Sequence, residues 1–206
     1  HMENYGTMKN VEQSFLNFAN NINESGYFLY FKDNPNASKV FSHSKSNNII
    51  SYGTDKHSDV VIKNIEKLPF GHNFALSGFI NGKKYNLKLR INRPGIYNVW
   101  NSTAAVVIGL LHGIAEEKII YQLAKYRGVY RRFSSIIEKN GIRYYDDYAH
   151  HPTEINQLLM SAKEEAENRV ITIFQPHRYS RTLSLYGSLC NSFKYTDCLG
   201  ILPIYA

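Results

Sequence analysis

The sequence predicts an α/β protein in two parts, and three observations carry that prediction. From Ile142 onward, apolar strand-like runs alternate with helix-like stretches of 10–15 residues, the pattern of a parallel, doubly wound sheet. Between Val60 and Arg90 the style is different: short alternating segments flank Asn81-Gly82, the strongest short-range signal for an antiparallel hairpin. Between these regions, Arg127 to Phe133 breaks the helical pattern. This places a boundary there, with a first domain over 1–130 and a second over 131–206.

Val11 to Asn21 carries apolar residues at close to helical spacing and opens the chain as a helix. Tyr27 to Phe31 is a short aromatic strand. Lys32-Asp33-Asn34-Pro35-Asn36 ends it as a turn, because Pro removes a ladder donor and Asp and Asn favour turns. Ile49 to Gly53 is a further strand. Phe74 to Ile80 and Lys84 to Leu89 form the hairpin, placed at the edge of the main sheet. Asn98 to Gly113 is an apolar helix and Glu116 to Tyr126 an amphipathic one. The second part runs strand (Ile142 to Tyr145), helix (Thr153 to Asn168), strand (Val170 to Phe174), helix (Thr182 to Phe193), strand (Leu199 to Pro203).

The formal charge of +7, from 24 Lys and Arg against 17 Asp and Glu, suits an anionic partner. The basic residues are dispersed, form no run of five, and sit in no helix-turn-helix, RNP or zinc-finger pattern, so a nucleic-acid partner is not expected. No apolar stretch approaches the roughly 18 residues that span a bilayer, so no membrane partner is expected either. Cys190 and Cys198 match no metal or redox spacing and read as reduced thiols of a cytoplasmic protein.

Candidate chemistry concentrates in two motifs, each between an apolar run and a helix. The first is Asp146-Asp147-Tyr148-Ala149-His150-His151-Pro152-Thr153-Glu154. Carboxylates at a strand end accept ribose hydroxyls or hold a metal ion. Tyr148 offers a flat face and a hydroxyl, and the histidines exchange protons near neutral pH. Pro152 opens a helix whose N-terminus favours anions. Adjacent histidines point in different directions and no third soft ligand is near, so zinc is not expected. The second motif is Gln175-Pro176-His177-Arg178-Tyr179-Ser180-Arg181-Thr182. Arg178 and Arg181, three apart at a helix opening, would share one face and grip a carboxylate or phosphate. Asn98 and Asn101 either meet a nucleobase edge or serve as ordinary helix caps, the cap being the preferred reading of the residues alone.

With these motifs in order, the chain resembles the Mur ligases of peptidoglycan synthesis. The resemblance rests on Asn4-Tyr5-Gly6, Ser51-Tyr52-Gly53, Gly95 to Ala105, Gly128 to Phe133, Asp146 to Glu154, Gln175 to Thr182 and Ile204-Tyr205-Ala206. It implies part of a central ATPase domain with an antiparallel hairpin, followed by a truncated, Rossmann-like, doubly wound C-terminal domain. It implies an ATP- and Mg²⁺-dependent ligase that joins L-alanine to UDP-N-acetylmuramate through an acyl phosphate. It implies that Asn98 and Asn101 contact adenine, that Arg132 approaches the ATP phosphates, and that Asp147 meets or orients the ribose. Tyr148, His150, His177, Arg178 and Arg181 would line the substrate and acyl-phosphate side.

The sequence departs from the family pattern in several places. Tyr97 stands where a His usually precedes Asn98, and no Gly-rich P-loop with Lys and Ser/Thr occurs. His1 falls where the family has a His able to ligate Mg²⁺, and is equally a tag scar. The expectation is a fragment inactive by itself, whose partner is the N-terminal and P-loop portion of the same ligase. The alternative is a non-catalytic nucleotide-binding or scaffold module derived from such a ligase.

Overall fold

The computed structural model describes residues 5–45 and 48–205. The chain divides into two compact units: residues up to Leu68, His72–Ile91 and Asn98–Lys125 form the first, and Pro69–Gly71, Asn92–Tyr97 and Tyr126 onward form the second.

In the first unit, α1 (Met8–Asn20) starts where the Thr7 hydroxyl accepts from the Asn10 amide at 3.2 Å. After β1 (Phe28–Phe31), the chain turns at Lys32–Asn34 as expected, but Pro35 and Asn36 open a second helix, α2 (Pro35–Phe41). Asn34 caps it through Oδ1, accepting from the Asn36 and Ala37 amides at 3.0 and 3.1 Å, and Pro35 fits the first helical turn. The same Asn-Pro chemistry that marks a turn also starts a helix, and packing decides which. Phe41 lies 4.5 Å from Phe28, ring to ring, in a small cluster with Ala19 and Val40.

Strands β2 (Ile49–Gly53), β3 (Val60–Leu68), β4 (Gly71–Ile80) and β5 (Lys83–Ile91) complete a five-stranded sheet ordered β1-β2-β3-β4-β5. β1, β2 and β3 pair in parallel, and β4 pairs antiparallel with β5. The predicted hairpin is present at the sheet edge: Ile80 faces Lys83 across Asn81 and Gly82, whose φ values of 50° and 74° are those a two-residue primed turn needs. Alternation along these strands buries Phe74 and Leu76 on β4 and Leu87, Leu89 and Ile91 on β5, each at most 3% exposed. Helix α3 (Tyr97–Leu111) buries Val99, Thr103, Val106, Val107 and Leu110, residues three or four apart, and α4 (Glu116–Lys125) packs on β5.

Gly78 marks a tight point in this sheet. A Cβ there would lie 2.1 Å from the Asp59 carbonyl oxygen and 2.9 Å from the Val60 Cα, both main chain of the neighbouring segment. Gly78→Ala is therefore expected to cost about 1–3 kcal/mol through overpacking, read as a lower urea midpoint at unchanged m-value.

In the second unit, β6 (Ser134–Lys139) and β7 (Ile142–Asp146) form an antiparallel pair closed by Asn140 and Gly141, with φ of 54° and 74°. This corrects one element. Ile142–Tyr145 does not open the parallel series, because a second Asn-Gly turn folds it back onto β6. The alternating pattern then holds through α5 (Pro152–Glu165), β8 (Ile171–Phe174), α6 (Tyr179–Ser184), α7 (Tyr186–Ser192) and β9 (Cys198–Ile201), with β8 and β9 parallel. The single helix expected from Thr182 to Phe193 is divided at Leu185, whose φ of −109° and ψ of 10° leave the helical range. Ile155, Leu159 and Leu189 form the core of this part, backed by Val170, Phe174 and Phe193. Cys190 and Cys198 are free and exposed. Among the described residues, no helix is long and apolar enough to cross a membrane.

Candidate functional site

The first motif is held by its own backbone amides. Leaving β7, the chain places Asp147 so that Oδ2 accepts from the Phe133 amide at 2.7 Å and Oδ1 from the Ala149 amide at 2.6 Å. The carboxylate thereby ties the strand end to residues 131–133. Burial pushes its pKa up, and the two amides together with the charge of Arg132 offset this only in part. Asp146 sits 3.4 Å from the Arg131 guanidinium, which lies 4.9 Å above the exposed Tyr148 ring. Arg131 and Phe133 both have left-handed φ, 57° and 48°, and the Phe133 ring is buried against Tyr145 at 4.5 Å.

The double histidine is organised by Glu154, in the first turn of α5. Its Oε2 accepts from the His150 and His151 amides at 3.1 and 3.3 Å, while the His151 Nδ1 accepts from the Thr153 amide at 3.4 Å in a capping box. The His150 Nδ1 lies 3.7 Å from the Glu154 carboxylate, and the Arg132 guanidinium 3.8 Å from its other oxygen. Burial raises the Glu154 pKa, but those amides and the nearby positive charges of His150 and Arg132 outweigh it and hold the carboxyl below its usual range. His150 Nδ1 is also 2.9 Å from the Tyr148 carbonyl. A carbonyl only accepts, so Nδ1 carries the hydrogen.

His151 titrates below its ordinary value of 6.5, because burial and the charges of His150 and Arg181 outweigh the pull of Glu154. A depressed histidine favours the neutral form in the folded state. Its contribution is complete above the unfolded pKa and is lost as pH falls toward the folded one. Melting temperature is therefore expected to drop between pH 7.5 and 5.5. His151→Asn, which keeps a capping oxygen but has no proton to take up, is expected to drop less over the same interval.

The second motif is positioned from the chain end. His177 and Tyr205 form a parallel bridge with rings stacked at 5.3 Å. The Arg178 amide donates to the Tyr205 carbonyl at 2.8 Å, and the Tyr205 amide to the Pro176 carbonyl at 2.9 Å. Arg178 is exposed and precedes α6 with φ of 67°, so it stands outside the helix and the one-face spacing with Arg181 does not apply. Arg181, inside α6, has a buried Nε with no acceptor among the described residues.

Asn98 and Asn101 lie in the first turns of α3 in the other unit, which begins at Tyr97. Asn98 is inside the helix, so it is not the cap. The structure thus gathers Arg132, Asp147, Tyr148 and His150 around one loop, and ties His177 and Arg178 to Tyr205. His1 lies outside the described residues, and among those described no three His, Cys, Asp or Glu side chains form a metal site. The sequence gives Glu154 no role beyond opening the helix, and Arg93 is not among the candidates. The His-x-x-Glu spacing is a visible capping-box signal for Glu154. For Arg93, whose guanidinium donates to the carbonyls of Arg132 and Phe133, no local signal exists.

Residues 1–109 match the family model described as Mur ligase middle domain, and residues 131–201 that of the Mur ligase, glutamate ligase domain. The chain is 39% identical over 209 residues to the UDP-N-acetylmuramate–L-alanine ligase of Pelagibacter ubique, covering all of this chain and 45% of that protein. It is 36% identical to the ligase of the same name from Clostridium acetobutylicum, covering 44% of it. The crystal structure of UDP-N-acetylmuramate–alanine ligase MurC from Thermotoga maritima superposes with a TM-score of 0.74 at 27% identity, over 100% of this chain and 44% of that one. MurF from Acinetobacter baumannii, at 21% identity and a TM-score of 0.72, shares the fold over 99% of this chain and 48% of its own. The chain therefore spans less than half the length of these relatives.

Proposed function

Since the chain belongs to the Mur ligase family, we propose that it is the nucleotide- and amino-acid-handling segment of an ATP-dependent ligase joining L-alanine to UDP-N-acetylmuramate. The observation that carries this reading is the whole-chain similarity to ligases of that name, together with the intact Asp147–Glu154 and His177–Arg181 motifs. In the proposed reaction, the substrate carboxylate oxygen takes the γ-phosphoryl group of ATP and ADP leaves. The amine of alanine then attacks the acyl carbon, phosphate leaves, and the amine gives up a proton.

The side chains divide this work between them. Asn98 and Asn101 offer amides to the adenine edge, and in the second unit Tyr148 lines the substrate side. Asp147 holds the loop on which the ribose would rest, rather than needing to turn away from its two amides. Arg132 meets phosphate charge, and Glu154 keeps it beside the histidine loop. His150 is the group that exchanges the amine proton, at Nε2, and His177 lines the same side. Arg178 and Arg181 neutralise the carboxylate and the acyl phosphate as charge builds. Mg²⁺, when bound, would supply further neutralisation of phosphate; among the described residues no three His, Cys, Asp or Glu side chains gather to hold it.

The test is a chimera in which this chain replaces the corresponding segment of the Pelagibacter ubique ligase. ADP release that requires both UDP-N-acetylmuramate and L-alanine is expected. Release supported equally by a different amino acid, or no release from a well-folded chimera, overturns the reading and favours a scaffold module. The 206-residue chain by itself is expected to release no ADP.

A further inference from the structure

We propose that the second unit carries a separate site for a small monocarboxylate with a flat apolar body, in a cavity of about 300 Å³ between the β6–β7 hairpin and the segments at residues 69–71 and 92–97. Two guanidinium groups line this cavity, those of Arg93 and Arg143, with Glu138 the one carboxylate beside them. Arg93 uses Nη2 on the Arg132 and Phe133 carbonyls, and Arg143 uses Nη2 on the Glu165 carbonyl at 2.7 Å. Neither arginine has a carboxylate within ion-pair distance among the described residues. Their charge is met by neutral carbonyl oxygens and, for Arg143, by the Phe70 ring. Arg143 keeps one two-pronged edge that suits a planar carboxylate, whereas Arg93, with both Nη2 hydrogens taken, offers single N–H donors from Nε and Nη1.

The lining charge is two positive against one negative, which selects a monoanion over a dianion or a neutral molecule. The other walls are Phe70, Phe133 and Tyr145. Phe133 and Tyr145 stack on each other, and Arg143 lies 4.9 Å over the Phe70 ring, so aromatic faces and edges frame the charged centre. A carboxylate attached to a flat apolar group satisfies both halves of that lining, and the volume is at the small end of ligand pockets. This cavity does not include Tyr148, His150, His177, Arg178 or Arg181, so it is distinct from the loop assigned to the ligase reaction. It touches that loop at one point. Arg93 holds the carbonyls of Arg132 and Phe133, and a ligand that recruits Arg93 draws on the same guanidinium that fixes residues 131–133.

The experiment is an NMR titration of the full 206-residue chain with benzoate, beside benzamide as the neutral isostere and inorganic phosphate as an anion without an apolar body. Benzoate is expected to give saturable shifts at the Phe133 and Tyr145 amides, with smaller shifts at Arg131 and Arg132. Benzamide and phosphate are each expected to bind at least about ten-fold more weakly. Arg143→Met is expected to weaken benzoate by about ten-fold. Because Arg143 also supports Phe70 and Glu165, a second variant guards against misfolding: Glu138→Gln, on the exposed hairpin, is expected to tighten benzoate by about two- to five-fold. Equal binding of benzamide, tighter binding of phosphate, unchanged affinity in Glu138→Gln, or no saturable shifts at these amides would each overturn the proposal.

Discussion

Replacing Arg181 with methionine in the chimera is expected to lower the turnover of ADP release by about 10²–10³-fold while leaving the melting temperature within a degree or two. The two halves of that expectation have separate causes. The loss in rate follows from the proposed role of Arg181, a fixed positive charge on the side where the carboxylate and acyl phosphate would develop negative charge. The unchanged stability follows from the structure, in which the buried Nε of Arg181 has no acceptor to lose among the described residues. Leaving that donor unmet costs free energy in the unliganded protein, so truncation removes a burden as well as a packing contribution. Arg181→Lys is expected to fall in between, since it restores charge but not the planar fork. A variant that loses stability in step with activity would show Arg181 to be structural, and one that keeps its activity would remove it from the reaction.

Asp147→Ala is expected to act mainly on stability, lowering it by about 1–3 kcal/mol in urea unfolding. The carboxylate takes the amides of Phe133 and Ala149 at 2.7 and 2.6 Å, and alanine leaves both without their acceptor. Water reaches this partly exposed site and keeps the cost below that of two fully buried amides. The Phe133 amide belongs to a residue with left-handed φ, as does Arg131 two positions earlier, and such backbone costs roughly 1–2 kcal/mol per residue. Asp147 is one of the contacts that offset this cost. Asp147→Asn is expected to lose about half as much, because its amide group retains one oxygen acceptor and replaces the other with a donor. Equal stability of wild type and Asp147→Ala would mean that the segment 131–133 is held by Arg93 and by Phe133 packing alone.

The reading of the sequence succeeded where local chemistry decides structure. Asn81-Gly82 set the edge hairpin, and apolar spacing set α1, α3, α4 and α5 to within a few residues. It stopped short where the same dipeptide has two uses. Asn140-Gly141 turns β7 back on β6, but β6 carries Ile136 and Ile137 in an otherwise polar, exposed run and offers no clean alternation to announce a strand. Asn34-Pro35 reads equally as a turn or a helix start, and the packing of Phe41 on Phe28 and Tyr30 favours the helix. At the site, the residues with chemistry were legible from type and density, whereas their supports were not. Glu154 announces itself only as a cap. Arg93 reaches carbonyls some 40 positions away, a relation that no window along the chain contains.

The tie between Arg178 and Tyr205 runs entirely through main-chain atoms, amide to carbonyl in one direction and, one step along, amide to carbonyl in the other. Those two hydrogen bonds ask only for an N–H at position 205, whereas the stack of the Tyr205 ring on His177 depends on the side chain there. Proline is the exception at either end, since it deletes the donor that each strand supplies. An evolving lineage can thus tune what lies opposite His177 while the arginine stays in place.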